Sequence, residues 1–317
     1  MTADALPLPQ APTVDEAYAF CRAIAHRYGA NFSVGFRFLP RAKRRAVYAA
    51  YAFCRWADDI ADECGVTPSV SEGPGRAGVA PPTPPGPSLT LGVTQRLDAW
   101  QSELDRCYAG QPSHPITVAL ADALQHFAIP RSAFAALIDG CRQDVVKHRY
   151  ETFDELLHYC ERVATSISDI SLAIFGYRTD AAIAYGRNLA TALQLTNVTR
   201  DVGDDLARDR IYIPSEELRR FGVEEAELVA RTESDRMRRL IEFQIDRAES
   251  YFRAAEPLLG ELSADARFPV ILMGGVYATV LARLRRDPLL VLRRRLSLSR
   301  FEKIIVVLRR IFRPHFV

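Results

Sequence analysis

Apolar and polar residues along most of this chain recur with the period of an α-helix. Apolar positions return every three or four residues, and opposite charges often stand four residues apart, as in ELVARTESDRMRRLIEFQIDRAESYF. Both features are typical of amphipathic helices. We find no period-2 strands and no repeat of fixed length. The predicted helices span about 14–63 (interrupted at Pro40), 93–109, 113–127, 131–147, 152–175, 179–207, 223–257, 264–286 and 299–313.

Two segments lack this periodicity. Residues 1–13 contain three prolines and are predicted to form a flexible arm. Residues 65–92 are rich in Pro, Gly and Ser, and they have too few large apolar side chains to offset the entropy of ordering. We interpret 65–92 as a flexible insertion between two helices. A linker between domains is the alternative, but the segment before it is short for a domain. One all-α domain over 14–317 is therefore predicted.

Composition narrows the class of protein. The 317 residues are 48% apolar and 25% charged, with a net charge of +2, so we expect a globular protein and no nucleic-acid partner. Six scattered cysteines form neither a zinc motif nor a disulfide framework, which fits reduced thiols in the cytoplasm. We expect no signal peptide and no membrane-spanning run, since uninterrupted apolar stretches are short.

The first candidate site lies in YAAYAFCRWADDIADE. On a helix, Tyr51, Arg55, Asp58 and Asp62 fall within about 60° of one another. The opposite side carries the apolar residues Ala49, Phe53, Trp56 and Ile60. The predicted helix therefore has an apolar back and a face with two carboxylates four residues apart.

The second candidate site lies in LQLTNVTRDVGDDLARDRIYIP. Gln194, Asn197, Asp201 and Asp205 fall within about 80° on a helix. An isolated pair of aspartates on a helix most often belongs to a solvated face. Aspartates four residues apart repel each other, however, and aspartate has a low helix propensity, so an ordinary exposed face seldom uses such pairs. Two acidic faces that meet across a cavity need cations to offset the repulsion between their carboxylates. We infer a diphosphate bound through Mg²⁺, with Arg55 and Arg200 as hydrogen-bond donors.

These segments resemble the squalene/phytoene synthase family of head-to-head prenyl transferases. The resemblance is carried by NFSVGFRFLPRAKRRAVYAAYAFCRWADDIADE (31–63), HRYETFDELLHYCERVA (148–164) and LQLTNVTRDVGDDLARDRIYIP (193–214), and it extends over nearly the whole chain from about residue 18. It implies an all-α, isoprenoid synthase-like helical bundle around a central cavity. It also implies a Mg²⁺-dependent enzyme, with Mn²⁺ as an alternative metal.

The resemblance also implies roles for individual residues. The implied metal ligands are Asp58, Asp62, Asn197, Asp201 and Asp205. The implied catalytic residues are Tyr51, Arg55, Tyr159 and Arg200, with Tyr159 handling a proton or stabilising a cation. The implied substrate-binding residues are Phe32, Ala164, Gln194 and Tyr277. Where many relatives have glycines after the tyrosine, this chain has bulkier residues at 165–168, which changes the expected pocket length.

The implied reaction condenses two prenyl diphosphates through a cyclopropylcarbinyl (presqualene or prephytoene) diphosphate. We predict a phytoene synthase-type enzyme of carotenoid biosynthesis. Synthases that form squalene, presqualene diphosphate or hydroxysqualene from farnesyl diphosphate are the alternatives, so the substrate is C15 or C20. No Rossmann motif is present, and termination without NAD(P)H is the simpler expectation. The resemblance still allows a hydride step, because the family uses no such domain. An alternative of a different functional class is a non-catalytic assembly protein of the same fold. Such a protein would not need the four motif aspartates, all of which are present in this chain.

The stretch 283–313 contains eleven Lys and Arg residues against two acidic ones. A solvated basic face is one interpretation, and contact with an anionic membrane surface is the functional one. We therefore expect a cytoplasmic protein that attaches peripherally to the inner face of the membrane.

Overall fold

A computed structural model of the chain describes residues 12–28, 33–62, 87–299, 301–302, 305–306, 308 and 315–316. Over these residues the chain forms helices joined by short connections. The only β pairing among them is two isolated bridges, Arg149 with Ile211 and Tyr177 with Leu262. The predicted all-α class is confirmed.

The helices are numbered here in chain order. They are α1 (Val14–Tyr28), α2 (Ser33–Phe36), α3 (Arg41–Asp62), α4 (Pro87–Tyr108), α5 (Pro115–Leu124), α6 (Arg131–Val146), α7 (Phe153–Cys160), a π-helical turn (Glu161–Thr165), α8 (Ser166–Phe175), α9 (Ala181–Arg200), α10 (Val202–Leu206), α11 (Ser215–Phe221), α12 (Glu225–Val229), α13 (Asp235–Ala255), α14 (Leu258–Glu261), α15 (Ala264–Arg286) and α16 (Leu290–Arg293).

Three predicted boundaries differ from the structure. Helix α4 begins at Pro87, so the end of the predicted insertion is helical, and residues 65–86 lie outside the described part of the chain. The predicted helix 223–257 is divided, because Arg231 has a φ of 56° and Ser234 then caps α13 by accepting from the amide of Met237. The predicted helix 179–207 is divided at Asp201, whose φ and ψ are −96° and 8°.

The back of α3 is held by aromatic packing. Phe53 is fully buried, and its ring lies 4.7 Å from that of Trp100 on α4 and 4.8 Å from that of Phe134 on α6. The corner between α4 and α5 is fixed by the buried carboxylate of Glu103, which accepts from the amides of Ser113 and His114 at 2.7 and 3.0 Å. These contacts orient the opposite face of α3 towards the site.

The helices form two packed groups with a shared middle. Helix α3 packs on α1, α4 and α5, and α9 packs on α13 and α15. The middle consists of α6, the π-helical turn and α8, which contact one another. Helices α6 and α8 pack on α3. The π-helical turn and α8 pack on α9. The acidic faces of α3 and α9 are therefore held on either side of α6 and the π-helical turn.

Helix α15 is long and apolar enough to cross a membrane by length and composition. However, 67% of that apolar window is buried inside the protein. A Cβ atom at Gly274 would lie 2.5 Å from the ring of Phe316, so the C-terminal segment packs closely on this helix. These contacts are those of a core helix.

Candidate active site

The acidic face predicted for α3 is present in the structure. Tyr51, Arg55 and Asp62 are half-buried and Asp58 is exposed, while Ala49, Phe53 and Ile60 are buried on the other side. Protein atoms nevertheless surround Asp58 on most sides, as expected for a side chain that lines a cavity. The helical periodicity therefore predicted the orientation of this face correctly.

Asp58 is the most perturbed group on that face. Burial and then the charge of Asp62 raise the pKa of Asp58 to about 7. The thiol of Cys141 on α6 donates to Oδ1 of Asp58 at 3.4 Å. Burial likewise raises the pKa of the Tyr51 phenol to about 12. A cation or proton near Asp58 would relieve this destabilised carboxylate.

Arg55 lies at the edge of the same face. Its guanidinium donates to Oδ1 of Asp59 and lies 4.8 Å from the ring centre of Tyr28. Asp59, the second aspartate of the DD pair, is thus a partner of Arg55. These two contacts hold the Arg55 guanidinium on the face of α3 that carries Asp58 and Asp62.

The second acidic motif spans the junction of α9 and α10. Oδ1 of Asn197 is buried and has no hydrogen-bond partner among the described residues, while its Nδ2 donates to Gln194 at 3.5 Å. The Asp205 carboxylate accepts no hydrogen bond from the residues that the structure describes. Burial and then the charge of Asp201 raise the pKa of Asp205 to about 8. This motif therefore carries oxygen donors whose bonding capacity is unused.

Asp201, predicted as a metal ligand, is paired with two arginines. Nε of Arg200 donates to its Oδ1 at 2.7 Å, and Nε of Arg295 donates to the same oxygen at 2.9 Å. Burial alone would raise the pKa of Asp201, but the two guanidinium groups outweigh it and lower that pKa. Arg200 also hydrogen-bonds Tyr277 on α15, so Tyr277 joins this side of the site.

A group that the sequence analysis missed lies between the two motifs. Oδ2 of Asp144 accepts from Oη of Tyr159 at 3.0 Å, and Oδ1 accepts from Oη of Tyr212 at 3.2 Å. Burial raises the pKa of Asp144 to about 6, although Arg210 and the two phenols act in the opposite direction. The charge of Arg210 acts on Asp62, Asp144 and Asp205. The two motifs therefore share one electrostatic environment.

The phenol of Tyr159 belongs to an aromatic cluster. The ring centres of Tyr150, Tyr159 and Tyr212 lie 5.4 to 5.7 Å apart. Tyr159 is the last residue but one of α7, and the π-helical turn that follows α7 holds the buried Ala164. Tyr212 and Arg210 stand in RDRIYIP, within a segment used for the resemblance, so residue type there was the available signal.

We next ask whether these residues suit a divalent cation. In the part of the chain that the structure describes, no three His, Cys, Asp or Glu side chains are arranged to hold one ion together. The free oxygen of Asn197 and the carboxylates of Asp58, Asp62 and Asp205 are nevertheless hard donors in a partly buried site. Such donors fit Mg²⁺, which often binds through one or two carboxylates and completes its coordination with substrate phosphates.

Two further predictions are placed differently. Phe32 lies outside the described residues. Within 283–313, four arginines form ion pairs inside the chain: Arg283 with Glu302, Arg285 with Asp246, Arg293 with Glu233, and Arg295 with Asp201. These four arginines are neutralised by carboxylates of the same chain, so less positive charge is available for the predicted contact of 283–313 with a membrane.

Comparisons with known proteins agree with this geometry. The profile of the family described as squalene/phytoene synthase matches residues 25–302. A 15-cis-phytoene synthase from Synechocystis sp. is 37% identical over 81% of this chain and 73% of its own length. A phytoene synthase from Mycobacterium tuberculosis is 36% identical over 92% of this chain and 89% of its own length.

Two solved structures are also similar. A squalene synthase, HpnC, from Alicyclobacillus acidocaldarius has a TM-score of 0.74 and 30% identity, covering 86% of this chain and 95% of that one. A dehydrosqualene synthase in complex with a ligand has a TM-score of 0.79 and 25% identity, covering 93% and 95%.

Proposed function

Because this chain belongs to the squalene/phytoene synthase family, we propose that it joins two C20 prenyl diphosphates into phytoene. The family condenses two prenyl diphosphates head to head, and this chain is a prenyltransferase of that kind. The observation that carries the proposal is the convergence of two acidic motifs around Asp144. The C20 substrate is supported by relatives at 34–37% identity that are named phytoene synthase.

We propose that Asp58, Asp62, Asn197, Asp201 and Asp205 hold the metal and, through it, the diphosphates. Mg²⁺, when bound, acts as a Lewis acid on the departing diphosphate. The free Asn197 oxygen and the raised pKa values of Asp58 and Asp205 support this role, because a cation would relieve both conditions. Mn²⁺ offers the same octahedral oxygen coordination.

The arginines supply the remaining positive charge. Arg200 and Arg295 already converge on Asp201, and we propose that they donate to diphosphate oxygens when substrate enters. Arg55 does the same from the α3 side, where Asp59 holds its guanidinium. These donors bind substrate and stabilise the charge that develops on the leaving group.

We assign the stabilisation of the carbocation intermediates to the tyrosine cluster. Phenol rings of Tyr159 and Tyr212 stabilise a cation through their π faces and keep water away. Closing the cyclopropane ring releases a proton, and Asp144 is suited to accept it through Tyr159, because its pKa is near 6. Final proton loss yields phytoene without a reductant, so NAD(P)H is not required.

The experiment is incubation of the purified protein with geranylgeranyl or farnesyl diphosphate and Mg²⁺ or Mn²⁺, with and without NADPH, followed by identification of the hydrocarbon. We expect phytoene from the C20 substrate without NADPH. Squalene or hydroxysqualene from farnesyl diphosphate as the preferred product would contradict the C20 proposal. That farnesyl reaction is the second candidate, favoured by the likeness to the squalene synthase structure.

The metal-site residues are tested by Asp58→Asn and Asp201→Asn. Each change should raise the barrier by at least about 3 kcal/mol, which is over 100-fold in rate. Asp180→Asn is the control, since Asp180 is exposed at the N-terminal end of α9 and forms no ion pair with the described residues. Near-normal turnover of both site variants, or equal loss in the control, would exclude the two-motif mechanism.

A further inference from the structure

An exposed aromatic ring, that of Phe38, lies between α2 and α3 and packs on the half-buried ring of Phe268. Phe38 is 55% exposed, and its ring centre lies 4.8 Å from that of Phe268 in an edge-to-face arrangement. Phe38 lies in the connection before α3, and Phe268 lies near the start of α15. A single exposed apolar side chain is ordinary, but adjoining apolar rings with a rim of like charges can form a contact site.

Arginines that form no ion pair with the described residues flank Phe38 in the chain. Arg37 and Arg41 are exposed, and neither forms an ion pair with any described residue. Arg44 is held beside them, because its Nη1 donates to the carbonyl of Arg37 at 3.2 Å. The nearby carboxylates are already paired, Asp265 with Lys43 at 2.8 Å and Asp15 with Arg45 at 2.9 Å. The surface therefore carries uncompensated positive charge.

This surface adjoins the helix that leads to the active site. An apolar groove between α2 and α15 is lined by Gly35, Phe36, Phe175 and Pro269. From Pro269 the helix continues for eight residues, about 12 Å, to Tyr277. Tyr277 hydrogen-bonds Arg200. The aromatic pair and its arginines therefore stand at one end of a helix whose middle contacts the diphosphate side of the site.

We infer that the patch of Arg37, Phe38, Arg41, Arg44 and Phe268 binds the surface of an anionic bilayer. Aromatic rings favour the membrane interface, and arginines bind lipid phosphates while their stems remain in apolar surroundings. The positive charges of Arg37 and Arg41, which no described carboxylate neutralises, are complementary to the negative charge of anionic lipid headgroups. Delivery of prenyl substrate at this patch rests on the proposed function, whereas the membrane contact itself does not.

The experiment measures sedimentation of the full chain with vesicles of phosphatidylcholine containing 30% phosphatidylglycerol, without substrate, at low salt. Each arginine removed should weaken binding about 5-fold, the equivalent of roughly 1 kcal/mol. The double variant Arg37→Gln/Arg41→Gln should therefore lose about 25-fold, and Phe38→Ser about 10-fold. Arg286→Gln/Arg294→Gln is the control, since these arginines are also exposed and form no ion pair with the described residues.

Preserved binding in the control, with loss in the patch variants, supports the inference. Absent binding of the unaltered protein, or equal loss in both double variants, overturns it. Loss of a dimer in Phe38→Ser, seen by light scattering without any change in vesicle binding, would assign the patch to a second copy of the chain instead. Turnover of detergent-solubilised substrate should be unchanged in all variants, which separates this test from that of the proposed function.

Discussion

Nε of Arg295 lies 2.9 Å from Oδ1 of Asp201, a residue 94 positions earlier in the chain. Arg295 follows α16, whereas Asp201 is the residue after α9. The contact therefore connects the basic stretch near the C-terminus to the second acidic motif. An arginine of the stretch that the sequence analysis assigned to a membrane contact thus lies against a proposed metal ligand.

Changing Arg295→Gln should reduce kcat/KM, because a charge-assisted hydrogen bond at the diphosphate side would be lost. Such bonds contribute about 1.5–3 kcal/mol, so we expect a 10- to 100-fold reduction. Steady-state kinetics with a short prenyl diphosphate in detergent measures it. The neighbouring Arg294→Gln should leave kcat/KM unchanged, since Arg294 is exposed and pairs with no described carboxylate. Equal effects in the two variants would argue against the contact.

Gly203 is expected to resist substitution by alanine. A Cβ at this position would lie 2.7 Å from the carbonyl oxygen of Val291, so α16 would have to shift away from α10. The shift would withdraw Arg295 from Asp201. We expect lower kcat/KM together with a stability loss of about 1–3 kcal/mol, measured by urea unfolding. Gly260→Ala, where no atom lies within 4 Å, is the control that should show neither effect.

The metal-free protein should lose stability as the pH rises from about 4 to 8. The pKa values of Asp58 and Asp205 are raised to about 7 and about 8, so the folded state holds these protons more tightly than the unfolded state. Their contribution is fully present below the ordinary pKa near 4 and is lost as the pH passes the raised values.

Thermal unfolding with EDTA at pH 5 and pH 8 checks this expectation. Asp58→Asn and Asp205→Asn should raise the Tm relative to the unaltered protein at pH 8, and by a smaller amount at pH 5, where both carboxyls are still protonated in the folded state. Mg²⁺ with pyrophosphate should reverse the order at pH 8 by binding only the unaltered site. A pH-independent difference in Tm would contradict the assigned pKa shifts.

Changing Tyr212→Phe should move the acid limb of the activity profile to higher pH. The phenol donates to Oδ1 of Asp144 and favours its ionised form, so losing this bond raises the pKa of Asp144 above about 6. The measurement is log kcat/KM against pH. Tyr150→Phe is the control within the same cluster, because the Tyr150 hydroxyl pairs with Gln143 rather than with Asp144. An unmoved acid limb would remove Asp144 from the proton step.

Helical periodicity was sufficient to predict the faces of α3, because the apolar back of that helix is continuous around Phe53. It could not predict Asp144, which becomes part of the site only through tertiary contacts with Tyr159 and Tyr212. The break at Arg231 was also missed, because an arginine with positive φ carries no residue-type signal. The pairing of Asp201 with Arg295 depends on the position of α16, which local sequence does not specify.

The π-helical turn at Glu161–Thr165 determines how this region would respond to a change in chain length. A π turn holds one residue more than the α-helical path that it interrupts. Deleting a single residue there would restore regular α-helix and leave the phase of α7 relative to α8 nearly unchanged, because the π turn uses its extra residue for almost the same rotation. The same deletion in the regular part of α8 would rotate α7 by about 100° about the helix axis and carry Tyr159 away from Asp144. The turn should therefore tolerate the loss of one residue that the regular helix after it does not.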